Sequence, residues 1–188
     1  MIRMTSFLVG AAGLMILTAG GALAQTAGKP AAAAATSQPG AATAQPGATT
    51  ATYQDWMLRC VAPADAPRIC EVVQTLQAQG QGVVASVAVG RVDPKAQPTL
   101  VIQVPAGVWL PSGVKVQLDE KSKPLQLEFK KCLQACFAEL SLDAATLAQL
   151  RAASEPGKFT FENGNRQQVS LPLSFKGFTA ALDASLKQ

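Results

Sequence analysis

The 188-residue chain contains no histidine. That absence removes the commonest general base near neutral pH and, with it, any Ser-His-Asp or Cys-His nucleophile. A zinc site would have to be built from thiolates and carboxylates alone. Charge is also sparse, and the excess of 16 basic over 12 acidic residues is too small to point to nucleic acid as a partner. The acids, from Asp55 to Asp183, are scattered over predicted loops or outward strand positions, and no two of them stand out as a glycosidase pair. The glycine-containing stretch from Pro105 to Gly113 lacks the strand–glycine–helix context and the lysine-threonine ending of a phosphate loop. No catalytic residues, metal or cofactor are therefore expected.

What is present begins with an export pattern. Arg3 precedes an uncharged run from Thr5 to Ala24 that contains Phe7-Leu8-Val9 and Leu14-Met15-Ile16-Leu17, and Ala22-Leu23-Ala24 supplies the small-x-small motif a signal peptidase accepts. Residues 1–24 are read as a signal peptide cleaved before Gln25. Gly10, Gly13, Gly20 and Gly21 weaken the run as a permanent spanning helix, and Gln25 stands where a lipoprotein would carry Cys. The processed chain is expected in the periplasm or at the cell surface, or outside the cell, and peripheral at most to a membrane. From Gln25 to Thr52 the chain is Ala, Pro, Gly, Thr, Ser and Gln with Lys29 as its one charge. Such a segment buries too little apolar surface to offset its ordering entropy, so residues 25–52 are read as a disordered tether.

From Tyr53 to Gln188 the pattern changes to short alternating runs separated by Gly and Pro. Trp56-Leu58-Cys60, Cys70-Val72-Leu76, Val83-Ala85-Val87-Val89, Leu100-Ile102-Val104, Val114-Val116-Leu118, Leu125-Leu127-Phe129, Phe159-Phe161 and Val169-Leu171-Leu173-Phe175 each place apolar side chains on one face. With a run near Ala138 to Leu140 this makes about nine strands. Pro172 suits an edge strand, and Gly80-Gln81-Gly82 and Asn163-Gly164 suit tight turns needing positive φ. One helix is predicted from about Asp143 to Ala152, capped by Asp143 or Ser141, and a second over 178–186 with Phe178, Leu182 and Leu186 on one face. Short connections and the lack of a βαβ rhythm point to an all-β, two-sheet antiparallel β-sandwich in residues 53–188.

Four cysteines in an exported chain read as disulfides. Three pairings exist. The local ones, Cys60 with Cys70 and Cys132 with Cys136, are favoured because each closes a strand-to-strand connection. The alternative is a thiol–disulfide exchange centre at Cys132 and Cys136, with Lys130 and Lys131 stabilising a thiolate. Trp109, a large aromatic in a predicted connection, is either a plug at the end of the sandwich or a partner-contacting residue. Lys130 and Lys131 belong to a locally basic stretch with Lys115, Lys121 and Lys123, a weak candidate for an anionic envelope surface.

Taken in order, Asp55-Trp56 with Cys60 four residues on, Cys70-Glu71, Gly107-Val108-x-Leu110-Pro111-x-Gly113-Val114, Cys132 and Cys136, and Leu171-Pro172-Leu173-Ser174-Phe175-Lys176-Gly177-Phe178 resemble the invasion-associated locus B family of exported bacterial proteins. The resemblance covers about Gln54 to Leu186. It implies a periplasmic or surface-associated, non-enzymatic protein, some members being linked to entry of pathogens into host cells. It also implies structural roles: Trp56 as core anchor, the cysteines as clamps, the glycines in turns. Where the family pattern usually has Leu, this chain has Trp109. The expected function is a binding or structural module engaging an envelope or host-surface protein, with oligomeric state left open.

Overall fold

The structure, a computed structural model, describes residues 48–187 apart from 65, 79, 81 and 155. The expected signal peptide, and the tether as far as residue 47, lie outside the described residues. Ten strands form, all antiparallel to their neighbours: β1 (Ala48–Tyr53), β2 (Trp56–Val61), β3 (Ile69–Ala78), β4 (Gly82–Gly90), β5 (Thr99–Pro105), β6 (Val114–Gln117), β7 (Leu125–Cys132), β8 (Ala135–Ser141), β9 (Gly157–Glu162) and β10 (Gln168–Leu173). Two helices accompany them, α1 (Ala144–Ala152) and α2 (Phe178–Leu186).

Two expectations are corrected. The tether does not run to Thr52: Ala48 to Thr52 belong to β1, paired along their length with β2. Low hydrophobicity hides this strand, because an edge strand needs only its neighbour's backbone, and Thr is a good strand former. Nor do the described strands fall into two separate sheets. The strands hydrogen-bond in one continuous order, β1-β2-β3-β4-β5-β8-β7-β6-β9-β10. The reason lies in β7, whose first half, Leu125 to Leu127, pairs with β6 while Glu128 to Cys132 pair with β8. A bulge between Phe129 and Lys131 bends it, and bulges sharpen strand twist. One strand thus serves two ladders, and the sheet curls around a single core instead of splitting in two.

That core follows from the alternation. Trp56, Leu58 and Cys60 of β2, Val87 and Val89 of β4, Leu100, Ile102 and Val104 of β5, Val114 and Val116 of β6, and Phe159 and Phe161 of β9 are all buried in one cluster. Helix α2 covers β1 to β4 and inserts Phe178, Ala181 and Leu182. Burial of a side chain such as Phe178 stabilises by about 1.5–3 kcal/mol. Asp143 caps α1, its carboxylate accepting from the Thr146 N–H at 2.7 Å, and that hydrogen bond holds its carboxyl below the ordinary value. Leu150 is the one fully buried residue of α1, which is tied to α2 by an Arg151–Asp183 ion pair at 2.6 Å.

The two ends of the domain meet at Trp56. Its indole N–H donates to the Ser174 carbonyl at 2.9 Å, and its ring lies 4.8 Å from that of Phe178. Buried Gln74 makes two 3.0 Å bonds to the Ser174 backbone, donating to its carbonyl and accepting from its N–H, while the Ser174 hydroxyl donates to Asp55 at 2.5 Å. Gly177, at φ +83°, brings the chain against the Tyr53 carbonyl so closely that a Cβ would collide with it.

Candidate functional site

The cysteines sit on two hairpins. Cys60 lies directly opposite Cys70 on β2 and β3, and Cys132 directly opposite Cys136 on β7 and β8. Both pairs are at disulfide-bonding distance with Cα atoms 4.0 Å apart, so the links are the local ones. Cys60, Cys70 and Cys136 are buried, whereas Cys132 is exposed at the end of β7.

Exchange chemistry needs a stabilised thiolate, and the two nearby lysines are otherwise engaged. Lys130, the extra residue of the β7 bulge, pairs with Glu128 at 2.7 Å; their hydrogen bond lowers the Glu128 pKa and raises that of Lys130. The Lys131 ammonium lies 5.0 Å from the centroid of the Phe137 ring. Cys132 ends a strand, not the start of a helix. Nothing in this geometry supports exchange specifically.

Trp109 lies in the β5–β6 connection, immediately before a 3-10 turn at Leu110–Ser112. Its N–H donates to the Glu162 carbonyl at 2.9 Å, and its own carbonyl accepts from the Ser112 hydroxyl at 3.1 Å. Val108 forms a bridge with Asn163. The connection is thereby pinned to the β9–β10 turn. That turn is organised by Asn163, whose side-chain oxygen accepts from the N–H groups of Asn165 and Gln167, both at 3.0 Å. The positive φ expected at Asn163-Gly164 falls instead on Arg166, at 60°. Gly164 answers a different need: a Cβ there would lie 2.8 Å from the Gly107 carbonyl, so its lack of a side chain lets the two loops touch.

This contact places the Arg166 guanidinium 4.1 Å from the Trp109 ring centroid, a cation–π stack. Trp109 remains partly accessible, and Leu110 beside it is 47% exposed. Sequence reasoning found Trp109 but not Arg166, which reads as an ordinary turn residue; only the β9–β10 register carries it over the ring. Lys130 and Lys131 lie on the β7–β8 hairpin, and among the described residues no hydrogen bond or ion pair joins them to Trp109. The indentation beside the connection, lined by Ser112, Lys115, Glu162 and Gln168, holds about 30 Å³. Small-molecule sites are usually about 300–1,000 Å³, so this indentation alone is too small to enclose such a ligand. Among the described residues, no group of three or more Cys, Asp or Glu side chains is placed to hold a metal ion, and no helix is long and apolar enough to cross a membrane.

The fold and its sites define a small all-β module, one curled antiparallel sheet with two helices and two disulfide-clamped hairpins. The family model of the invasion associated locus B protein matches residues 56–186, and the chain belongs to that family. It is 34% identical over 138 residues to an invasion protein B homologue of Brucella abortus strain 2308, covering 70% of this chain and 76% of the relative; the homologue of strain 9-941 matches equally. The crystal structure of invasion associated protein B from Bartonella henselae superposes with a TM-score of 0.64 at 20% identity, covering 74% of this chain and 95% of that one.

Proposed function

We propose that this chain is an exported, non-enzymatic binding module of the bacterial cell envelope, resident in the periplasm or at the cell surface, that uses the Trp109–Arg166 surface to engage a protein of the envelope or of a host surface. The observation that carries the reading is the partly exposed Trp109 ring under the Arg166 guanidinium, with Leu110 alongside, held on two loops that brace each other. Trp and Arg are the residues most enriched where binding energy concentrates, and a braced loop loses little entropy on docking. The family relatives, named as invasion proteins, are consistent with a role in contact. Export rests on Ala22-Leu23-Ala24.

The test is capture of partners from intact envelope, followed by affinity measurement on the captured protein. Trp109→Ala should weaken binding by about 1–2 kcal/mol or more with unchanged thermal unfolding. Trp109→Leu, which keeps an apolar side chain but removes the ring under Arg166, should also bind more weakly. Variants that bind as the wild type does would remove this surface from the proposal. The protein recovered from the envelope should begin at Gln25; a form retaining Met1 would count against export by this route.

A further inference from the structure

The two edges of the sheet are built differently. At β10 the next-to-last residue of the strand is Pro172, which offers no N–H to an incoming strand and so hinders growth of the sheet there. At β1 no such protection exists. Its sequence, Ala-Thr-Thr-Ala-Thr-Tyr, has no charge and no proline, and its pairing with β2 runs from Ala48 to Tyr53 without a bulge. Thr49, Thr50, Ala51 and Thr52 are all exposed, and among the described residues no strand pairs with its outer side.

The cysteines fix which backbone groups are free. Directly opposed antiparallel residues alternate between a hydrogen-bonded pair, with Cα atoms about 5.5 Å apart, and a non-hydrogen-bonded pair at about 4.5 Å. Cys60 and Cys70, 4.0 Å apart, are of the second kind. The N–H and C=O of Cys60 therefore turn the other way, toward its β1 partner Thr49. By the same alternation Ala51 and Tyr53 bond β2, and Ala48, Thr50 and Thr52 aim their backbone groups outward.

We infer that β1 is a self-association edge, which pairs antiparallel with β1 of a second copy of this chain in a register centred on Thr50. A two-fold axis through that rung sets Thr50 opposite the partner's Thr50 and Ala48 opposite the partner's Thr52, so every outward backbone group of one strand meets its complement. Cross-strand Thr–Thr pairs are favourable, and β1 brings no charged side chain of its own to the axis. Two cations lie beside the strand and both are engaged: Arg59, opposite Thr50 on β2, is paired with Glu71, and the Arg68 guanidinium donates to the Thr49 hydroxyl. A six-residue strand buries little area, so the dimer is weak and reversible.

The test is sedimentation of protein purified from cells expressing the full chain, up to millimolar concentration. The wild type should dimerise. Thr50→Pro deletes only an outward-facing donor, so it should leave the fold unchanged while raising the dissociation constant about tenfold or more. Thr50→Lys, which sets two ammonium groups across the axis, should be monomeric, as should Thr50→Glu, and mixing the two should restore a heterodimer. A wild type that stays monomeric overturns the inference, as does a dimer that none of the Thr50 variants weakens. None of these outcomes bears on Trp109, which is remote from β1 in the strand order.

Discussion

Gln74 stands on the inward face of β3, where alternation calls for an apolar side chain. It is 7% exposed, yet its amide is satisfied by the Ser174 N–H and carbonyl, so one side chain substitutes for a stretch of sheet between β3 and the segment leading into α2. The same carbonyl accepts from Trp56, and Asp55 holds the Ser174 hydroxyl. This is why Asp55-Trp56 and Ser174 to Phe178, far apart in sequence, act as one unit. Gln74→Leu should leave the Ser174 N–H unpaired and lower stability by about 1–3 kcal/mol in urea unfolding. Exposed Gln77, on the same strand, serves as control: Gln77→Leu should change stability by less than about 0.5 kcal/mol. Equal stabilities for the two variants would mean that water replaces the Gln74 amide without loss.

At the scale of the element, the two clamped hairpins differ in how much chain each closes. The five-residue loop from Cys132 to Cys136 gives an entropic stabilisation of about 2 kcal/mol, and the larger loop from Cys60 to Cys70 about 3 kcal/mol, both by a chain-entropy model. Cys132→Ala/Cys136→Ala should therefore lower unfolding stability by about 2 kcal/mol and leave partner binding at Trp109 intact. With Lys130 and Lys131 committed to Glu128 and Phe137, the wild type should reduce a disulfide substrate no faster than a small thiol does. Measured exchange that disappears in the double variant would overturn the structural reading of this bond.

For the whole molecule, the decisive strand is β7. Because it divides its partners between β6 and β8 and bends at its bulge, ten strands close over one core without a second sheet. The domain also starts earlier than its hydrophobic pattern. A chain shortened to begin at Tyr53 loses the β1 ladder and leaves β2 as the edge, so it should unfold at a lower temperature than one beginning at Ala48. Identical melting would place the start of the domain at Tyr53.

By itself the sequence determined the elements and their inward faces: Trp56 to Cys60, Leu100 to Val104, the Asp143 cap, Phe178 and Leu182 of α2, and Pro172 at an edge. These are local matters of period, capping and proline geometry, settled within a few residues. The local cysteine pairing was legible for the same reason, since both partners flank one turn. Only tertiary structure decided the rest. A Thr-rich edge strand carries no hydrophobic signal, and Gln74 looks like a fault in an apolar run until Ser174 meets it. Whether β7 joins two ladders or ends one depends on a bulge that has no distinctive composition. Arg166 reaches Trp109 because Gly164 lets two loops touch, a coincidence of distant segments that no local pattern encodes.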